Sequence, residues 1–321
     1  MSPEPASPGG GAAVSHVRVG VGLLLGIVTV LVVLLDGMLG RSAAFRSAAP
    51  GTGLLLALLS AAALRELYLL LGSAGIPSFP AWGASASFAV LALRALLPAA
   101  GVRPADAEAF GYAALGLAAI LPAAGCIGFR APGGPEGASV SLERDRPSAE
   151  ALRPFAGTAL GLLLVHLPMA LLLELRLAPP LPGMSPSVPS GLVLATMLAV
   201  GCKVGDSAAY FAGRTVGKRP LCWVSPKKTW EGAVAGCAAG TAAAAFLGAV
   251  FGLPLAQGLA FGFTVNLAGQ GGDLLESWVK RCCGAKDSGD TFGEMGGALD
   301  LVDALLLAGP AGYLFHRVVL A

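Results

Sequence analysis

The sequence predicts an all-α, polytopic transmembrane helical bundle with about nine spans. Three observations carry that prediction. Of 321 residues, 55% are hydrophobic and 12% are charged, against about 25% charged in an ordinary soluble domain. Mean hydropathy is +0.74. Apolar runs long enough to cross a bilayer recur along the chain, and clusters of Pro, Gly and charge interrupt them. A water-soluble globular enzyme is excluded. So is intrinsic disorder, which needs low hydrophobicity and high net charge, because 21 Lys+Arg against 19 Asp+Glu leave only +2.

Residues 1–18 read as a flexible N-terminal tail, rich in Pro, Gly and Ser. The first apolar run, 19–35, has His16 and Arg18 as positive flanks and leads into Asp36-Gly-Met-Leu-Gly-Arg41. No small-residue cleavage site follows it, so it reads as a retained span. Runs at 53–71, 81–99 and 110–127 complete an N-terminal transmembrane scaffold over 19–129. Within it Arg65 and Glu66 are the exceptional charges. Neighbours at i, i+1 point in different directions, so the favoured reading is a snorkelling or paired Arg65, with Glu66 touching a polar site as the minority alternative.

Residues 130–153 form a polar loop that can neither cross lipid nor bury a core. Beyond it, runs at 155–175, 191–212, 233–251, 255–275 and 298–320 build a C-terminal region, 154–321, where the chemistry is expected. Five prolines between residues 178 and 189 mark a connection outside the membrane core. Gly236 with Gly240, Gly248 with Gly252, and Gly258 with Gly262 put small residues on single helix faces, for internal packing or for a homodimer.

Three dispersed histidines (His16, His166, His316) and six cysteines without ligand spacing make a zinc site or a disulfide framework improbable.

Charge is concentrated in the second half. Nine of the 21 basic residues lie between Lys203 and Lys286, and nine of the 19 acidic ones between Asp206 and Asp303. Two loops, 214–228 and 280–294, hold eight of those cations. Two spans separate the loops, so both face one compartment. The excess of Lys and Arg makes that compartment the cytoplasm, in a multi-pass protein of the inner (cytoplasmic) membrane.

Asp300 and Asp303 open the last span at i, i+3, on one helical face, and Asp273 ends the helix entering the second loop. Such carboxylates at a helix mouth suit a hard divalent ion, Mg2+ best, with phosphates completing its shell. A stripe of Asp273, Ser277, Lys280 and Arg281 suits a phosphate at the membrane surface; the rival reading is an interfacial helix end with snorkelling cations. In Ser225-Pro-Lys227-Lys228-Thr229-Trp-Glu-Gly232, Thr229 is placed to cap a helix, and lysines beside exposed helix amides make an anion site. The stretch from Gly213 to Lys218 lacks the spacing and the hydroxyl residue of a P-loop.

These residues resemble the phosphatidate cytidylyltransferase (CDP-diacylglycerol synthase) family over about residues 205–303. The resemblance rests on Ser277, Lys280, Arg281, Lys286, Asp287, Gly289, Gly296, Gly297, Asp300 and Asp303 at the family's spacing. It rests also on GDSAAYFAGRTVGK, VSPKKTWEG and GDLLESWVKR. Two departures stand out. Gly293-Glu294-Met295-Gly296-Gly297 replaces the family's Pro-Gly-His-Gly-Gly, and Leu301 stands where an Arg follows the first aspartate.

The resemblance implies a nucleotidyltransferase that condenses CTP with phosphatidate to CDP-diacylglycerol and diphosphate, in phospholipid biosynthesis. Membrane lipid surrounds it and no nucleic-acid partner is expected. Its implied catalytic residues are Asp273, Asp300, Lys280 and Asp287. Substrate phosphates fall to Ser225, Lys227, Lys228, Thr229, Ser277, Arg281 and Lys286. Mg2+ falls to Asp273, Asp300 and Asp303, with a second, monovalent cation left open.

Three rival readings stand beside this one. An ion-coupled transporter also buries carboxylates in a Gly-rich bundle, but near the midplane rather than at one face. A diverged relative, inactive or acting on another phosphorylated lipid, is suggested by Met295 and Leu301. A non-catalytic lipid-binding protein would need only the basic loops.

Overall fold

The structure, a computed structural model, describes residues 31–32, 35–39, 48–103, 106–107, 109–114, 116, 149–186, 188–289, 291 and 296–320. Among them the chain is helical, with one isolated antiparallel bridge, Pro220 to Thr229, and no strand. The helices are α1 (Pro50–Ser73), α2 (Pro80–Leu96, prolonged by a 3-10 turn to Ala100), α3 (Arg153–Arg176), α4 (Ser190–Val216), α5 (Trp230–Val250) and α6 (Leu255–Cys282). They are followed by α7 (Ala298–Val302) and α8 (Leu305–Phe315), which run on into a π turn, His316–Leu320.

Six segments are long and apolar enough to cross a membrane: α1, α2 with its 3-10 turn, α3, α4, α5 and Ala298–Leu320. The protein is an integral membrane protein, but the expected count of about nine spans is met only in part. Residues 19–35 fall almost wholly, and 110–127 largely, outside the described residues, as do the tail and most of the polar loop. The expected span 255–275 lies in α6, which has the length but not the apolarity. Its 28 residues reach about 42 Å, against about 30 Å of hydrocarbon.

The α6 sequence explains its exception. Leu255, Leu259, Phe263 and Leu267 recur at i, i+4 and are exposed, a stripe fit for lipid. The buried side carries Gly258, Gly262, Asn266, Gly269 and Gly272. Asn266 is buried, donates to the Gly262 carbonyl at 2.9 Å, and wedges between α4 and α5. A Cβ on Gly240 would lie 2.0 Å from its Oδ1, and one on Gly205 2.6 Å. Gly236 and Gly240 thus seat α5 against α4, while Gly258 and Gly262 seat α6 against α5. Those glycine faces are occupied within the chain. Gly252 instead ends α5's turn at a φ of 91°, a left-handed conformation that favours glycine.

Buried polar groups tie α1, α2 and α3 together. His166 Nδ1, Ser87 Oγ and Ser60 Oγ form a string at 2.7 and 2.8 Å across α3, α2 and α1, where α3 makes one π turn. Arg94 holds Glu174 through two hydrogen bonds of 2.5 and 2.6 Å. Asp36 caps α1 by accepting from the amides of Gly51 and Thr52 at 2.8 Å, with Arg176 3.7 Å away. The Arg65 side of α1 is exposed and the Glu66 side buried, as adjacent positions require.

Neighbouring helices alternate in direction: Gly53 meets Ala95 while Tyr68 meets Gly83, and Gly205 meets Gly236 while Met197 meets Gly248. The C-termini of α1, α4 and α6 and the N-termini of α5 and α7 therefore gather at one end of the bundle. Both basic loops are at that end, as the two intervening crossings require.

Candidate active site

The charged end opens from the last turns of α4. Asp206, Tyr210 and Arg214 recur at i, i+4, i+8 and line one wall of a cavity of about 560 Å³. The opposite wall is α6, with Gln270 and Asp273, and the roof is the loop of Ser225, Lys227 and Lys228 leading to Thr229. This loop is folded on itself. Leu221 N–H donates to the Lys228 carbonyl at 2.7 Å, Trp230 N–H to that of Arg219 at 3.0 Å, and Lys228 N–H to that of Ser225 at 3.0 Å. Glu231 Oε2 clamps its far side by accepting from the amides of Lys218 and Arg219.

Thr229 caps α5 as its position predicts: its hydroxyl accepts from Gly232 N–H at 3.2 Å. The first turn of α5 thus delivers amide dipoles to the cavity rim. Gly213, Gly217 and Gly232 make the approach close; a Cβ on Gly217 would lie 2.7 Å from Thr229 Oγ1. Lys228 reaches across to an ion pair with Asp273, both about 30% exposed. Gln270 Nε2 donates to the Ala233 carbonyl at 3.0 Å, which fixes α5 against α6 below the cavity.

A second cluster lies one turn further along α6. Lys280 Nζ sits 2.8 Å from Glu276 Oε2 and 2.5 Å from Asp300 Oδ1, and its side chain is 12% exposed. Asp300 Oδ2 accepts from Ser288 Oγ–H and from Gly297 N–H, each at 2.9 Å. The second contact is a carboxylate at N3 reaching back to the amide that precedes its own helix. Glu276 is buried, and its Oε1 has no hydrogen-bond partner among the described residues.

The two aspartates spaced i, i+3 address α6 at successive levels. α7 stops at Val302, Asp303 and Ala304 form a turn, and Asp303 Oδ1 accepts from Ala304 N–H at 2.5 Å. Asp300 joins Lys280 and Ser288. Asp303 lies within electrostatic reach of Asp273 and Asp206, with Lys203 among them.

Of the other expected residues, Ser277 is half-buried on α6, and Arg281 is exposed and donates to the Ala285 carbonyl at 3.1 Å. Lys286 and Asp287 are exposed on the loop. Met295 and its neighbours 292–294 lie outside the described residues, and Leu301 is half-buried. Asp206, Tyr210, Arg214 and Gln270 were not among the expected site residues. Their i, i+4 recurrence on α4 was the available signal for the first three. Glu66 had no local signal beyond its isolation in an apolar helix. It is buried and accepts from Leu299 N–H at 2.9 Å, from Ser288 Oγ–H at 3.4 Å and from Thr291 Oγ1–H.

The donor set suits a hard cation. Asp206, Asp273 and Asp303 lie within electrostatic reach of one another, and Mg2+ characteristically takes one or two carboxylates plus substrate phosphates. Among the described residues no three His, Cys, Asp or Glu side chains are grouped so as to hold a metal ion.

The fold and the site define a helical membrane protein with a cation-roofed cavity and a carboxylate–lysine network at one end, a chemistry that suits phosphate groups. The comparisons agree with that class. The chain matches the cytidylyltransferase family over residues 16–319 and belongs to it.

Among curated relatives, the phosphatidate cytidylyltransferase of Brucella suis biovar 1 (strain 1330) is 44% identical over 115 residues, which is 35% of this chain and 43% of that one. Phosphatidate cytidylyltransferase 4, chloroplastic, of Arabidopsis thaliana is 38% identical over 132 residues, 40% of this chain and 34% of its own length. The phosphatidate cytidylyltransferase of Helicobacter pylori (strain J99 / ATCC 700824) is 38% identical over 121 residues, 36% and 44% respectively. The alignments thus span less than half the length of each relative.

Proposed function

We propose that the protein is a phosphatidate cytidylyltransferase, converting CTP and phosphatidate into CDP-diacylglycerol and diphosphate with Mg2+. The observation that carries this reading is the pairing of Lys228 with Asp273 at the mouth of the cavity, beside the capped N-terminus of α5 and next to the Lys280–Asp300 cluster. Cations, helix amides and carboxylates at one membrane-facing end are what two phosphorylated substrates and a divalent ion require together.

In this reading the lipid phosphate is the nucleophile. One of its oxygens bonds to the α-phosphorus of CTP as the bond from that phosphorus to the bridging oxygen breaks and diphosphate leaves. The lipid phosphate is already anionic, so no strong general base is needed, and catalysis consists of positioning and charge neutralisation. Lys227, Lys228 and Arg214 are suited to the nucleotide phosphates, with Ser225 and Thr229 at the same rim. Lys280, Arg281 and Lys286 are suited to the lipid phosphate or the departing diphosphate. Asp273 and Asp300 would hold Mg2+, with Asp303 in support; when bound, the ion supplies neutralisation of charge on the phosphate oxygens. Lys228 and Lys280, each now held by a carboxylate, keep their ammonium groups where phosphate oxygens would arrive.

The charged end faces the cytoplasm in this proposal, because the eight loop cations gather there. Two features argue against a transporter: the charges cluster at one end, and the relatives named above are cytidylyltransferases.

One sequence feature favours a second reading. Met295 and Leu301 replace a family His and Arg on the phosphate side, which fits an acceptor other than phosphatidate, such as another phosphorylated lipid. Incubation of purified protein with CTP, Mg2+ and either phosphatidate or a polyprenyl phosphate, followed by mass spectrometry of the lipid product, separates the two. CDP-diacylglycerol from phosphatidate is the expected result. Product only with the polyprenyl phosphate favours the second reading, and product with neither overturns both.

A further inference from the structure

Glu66 is the single acidic residue of α1, a helix in the half of the chain that the charge pattern leaves out of the chemistry. A carboxylate buried in an apolar helix is costly unless it is satisfied, and no cation pairs with this one among the described residues. What it has is donors: Leu299 N–H in the first turn of α7, Ser288 Oγ–H, and Thr291 Oγ1–H. Ser288 Oγ lies 2.9 Å from Asp300 Oδ2 and 3.4 Å from Glu66 Oε2, so its single hydroxyl proton is shared between the two carboxylates. Space is reserved for this contact. A Cβ on Gly297 would lie 2.3 Å from Glu66 Oε2, and one on Gly289 2.9 Å from Oε1.

We propose that Glu66 is a positioning residue for Asp300: it ties the loop at Ser288 and Thr291 and the start of α7 to α1, so that Asp300 is presented to Lys280 in one orientation. The proposal rests on the reading of Asp300 as part of the active site. It assigns the N-terminal half a direct part in building that site. Because the Lys228–Asp273 cavity is formed by α4, α5, α6 and the loop joining α4 to α5, with no residue of α1 or α7, loss of the Glu66 tether changes turnover and leaves nucleotide binding intact.

The test uses the full-length protein and the variants Glu66→Gln and Ser288→Ala. Gln is isosteric, but its amide nitrogen meets a donor where the carboxylate accepted. Three readouts are taken: kcat and KM for CTP, the rate of tryptic cleavage after the exposed Lys286, and Tm. The expected result for Glu66→Gln is a kcat lowered roughly tenfold or more with KM for CTP unchanged within about twofold, and faster cleavage after Lys286 at an unchanged Tm. Ser288→Ala shows the same pattern, weaker.

Wild-type kcat in Glu66→Gln overturns the proposal. So does a fall in kcat accompanied by a proportional rise in KM and a lowered Tm, which is the mark of a merely structural role. If wild-type protein makes no lipid product, the cytidylyltransferase reading fails by itself. Cleavage after Lys286 then decides the tether: a faster rate in the variant supports it and an equal rate overturns it.

Discussion

Lys228 and Asp273 neutralise each other across the cavity mouth, at partial exposure and from separate elements. Stability alone gives little reason for that geometry, since an exposed ion pair contributes only about 0–1 kcal/mol. Its significance lies in the electrostatics offered to a substrate. Asp273→Ala and Asp300→Ala are each expected to lower product formation by roughly two orders of magnitude or more, with an unchanged elution profile in detergent. Lys228→Ala is expected chiefly to raise KM for CTP. Asp287→Ala is expected to remain within about tenfold of wild type, because Asp287 is exposed on the loop. Steady-state kinetics with CTP as the varied substrate checks all four.

At this scale the residues that could be read from sequence were those with a local signature: the Thr229 cap, the paired lysines, and Asp273 four residues from Ser277. Glu66 could not be read with equal force. Its partners Ser288 and Leu299 lie more than 220 positions away in sequence, and only the fold brings them together.

The helices position these groups by length and by small-residue contacts. α4 and α6 each exceed a bilayer's hydrocarbon thickness, so their charged last turns stand clear of lipid while their apolar stretches remain within it. α5 is fixed between them by Gly236, Gly240 and the wedged Asn266. Gly240→Leu forces a branched side chain into a gap where even a Cβ would stand 2.0 Å from Asn266 Oδ1. Overpacking of this kind costs about 1–3 kcal/mol, so thermal unfolding in detergent should show a clearly lower Tm, with activity lost as α5 shifts. An unchanged Tm would mean that the seam is looser than described.

The glycine spacing was legible in the sequence as a helix-packing signal. Which helix it packs against was not, since i, i+4 spacing is silent about the partner. The i, i+3 relation of Asp300 and Asp303 was legible, and the helix they meet was not. The backbone stays right-handed helical through Asp303 and Ala304, so Asp300 meets Lys280 and Asp303 comes within electrostatic reach of Asp273, both on α6.

Over the whole molecule, alternation of helix direction sends both basic loops and the C-terminus of α1 to one end. That arrangement follows from the number of crossings between the loops, which is why the gathering of the charges was foreseeable while the exact span count was not. α6 blurs the count because a helix that packs a polar face inward lowers its own hydropathy. The orientation in the membrane gives a separate prediction: in intact cells an impermeant maleimide leaves the exposed Cys282 unlabelled, and permeabilisation of the cytoplasmic membrane exposes it. Labelling in intact cells would place the charged end on the other side.

The central claim is that this end of the bundle transfers a cytidylyl group to a lipid phosphate. The most direct measurement is incorporation of label from CTP radiolabelled at the α-phosphate into organic-extractable lipid, using purified protein, phosphatidate and Mg2+, with Asp273→Ala and Asp300→Ala in parallel. The account predicts labelled lipid from wild type, loss on chelation of Mg2+, and background counts from both variants. Labelled lipid at wild-type levels from either variant, or none from a folded wild type that binds CTP, would contradict it.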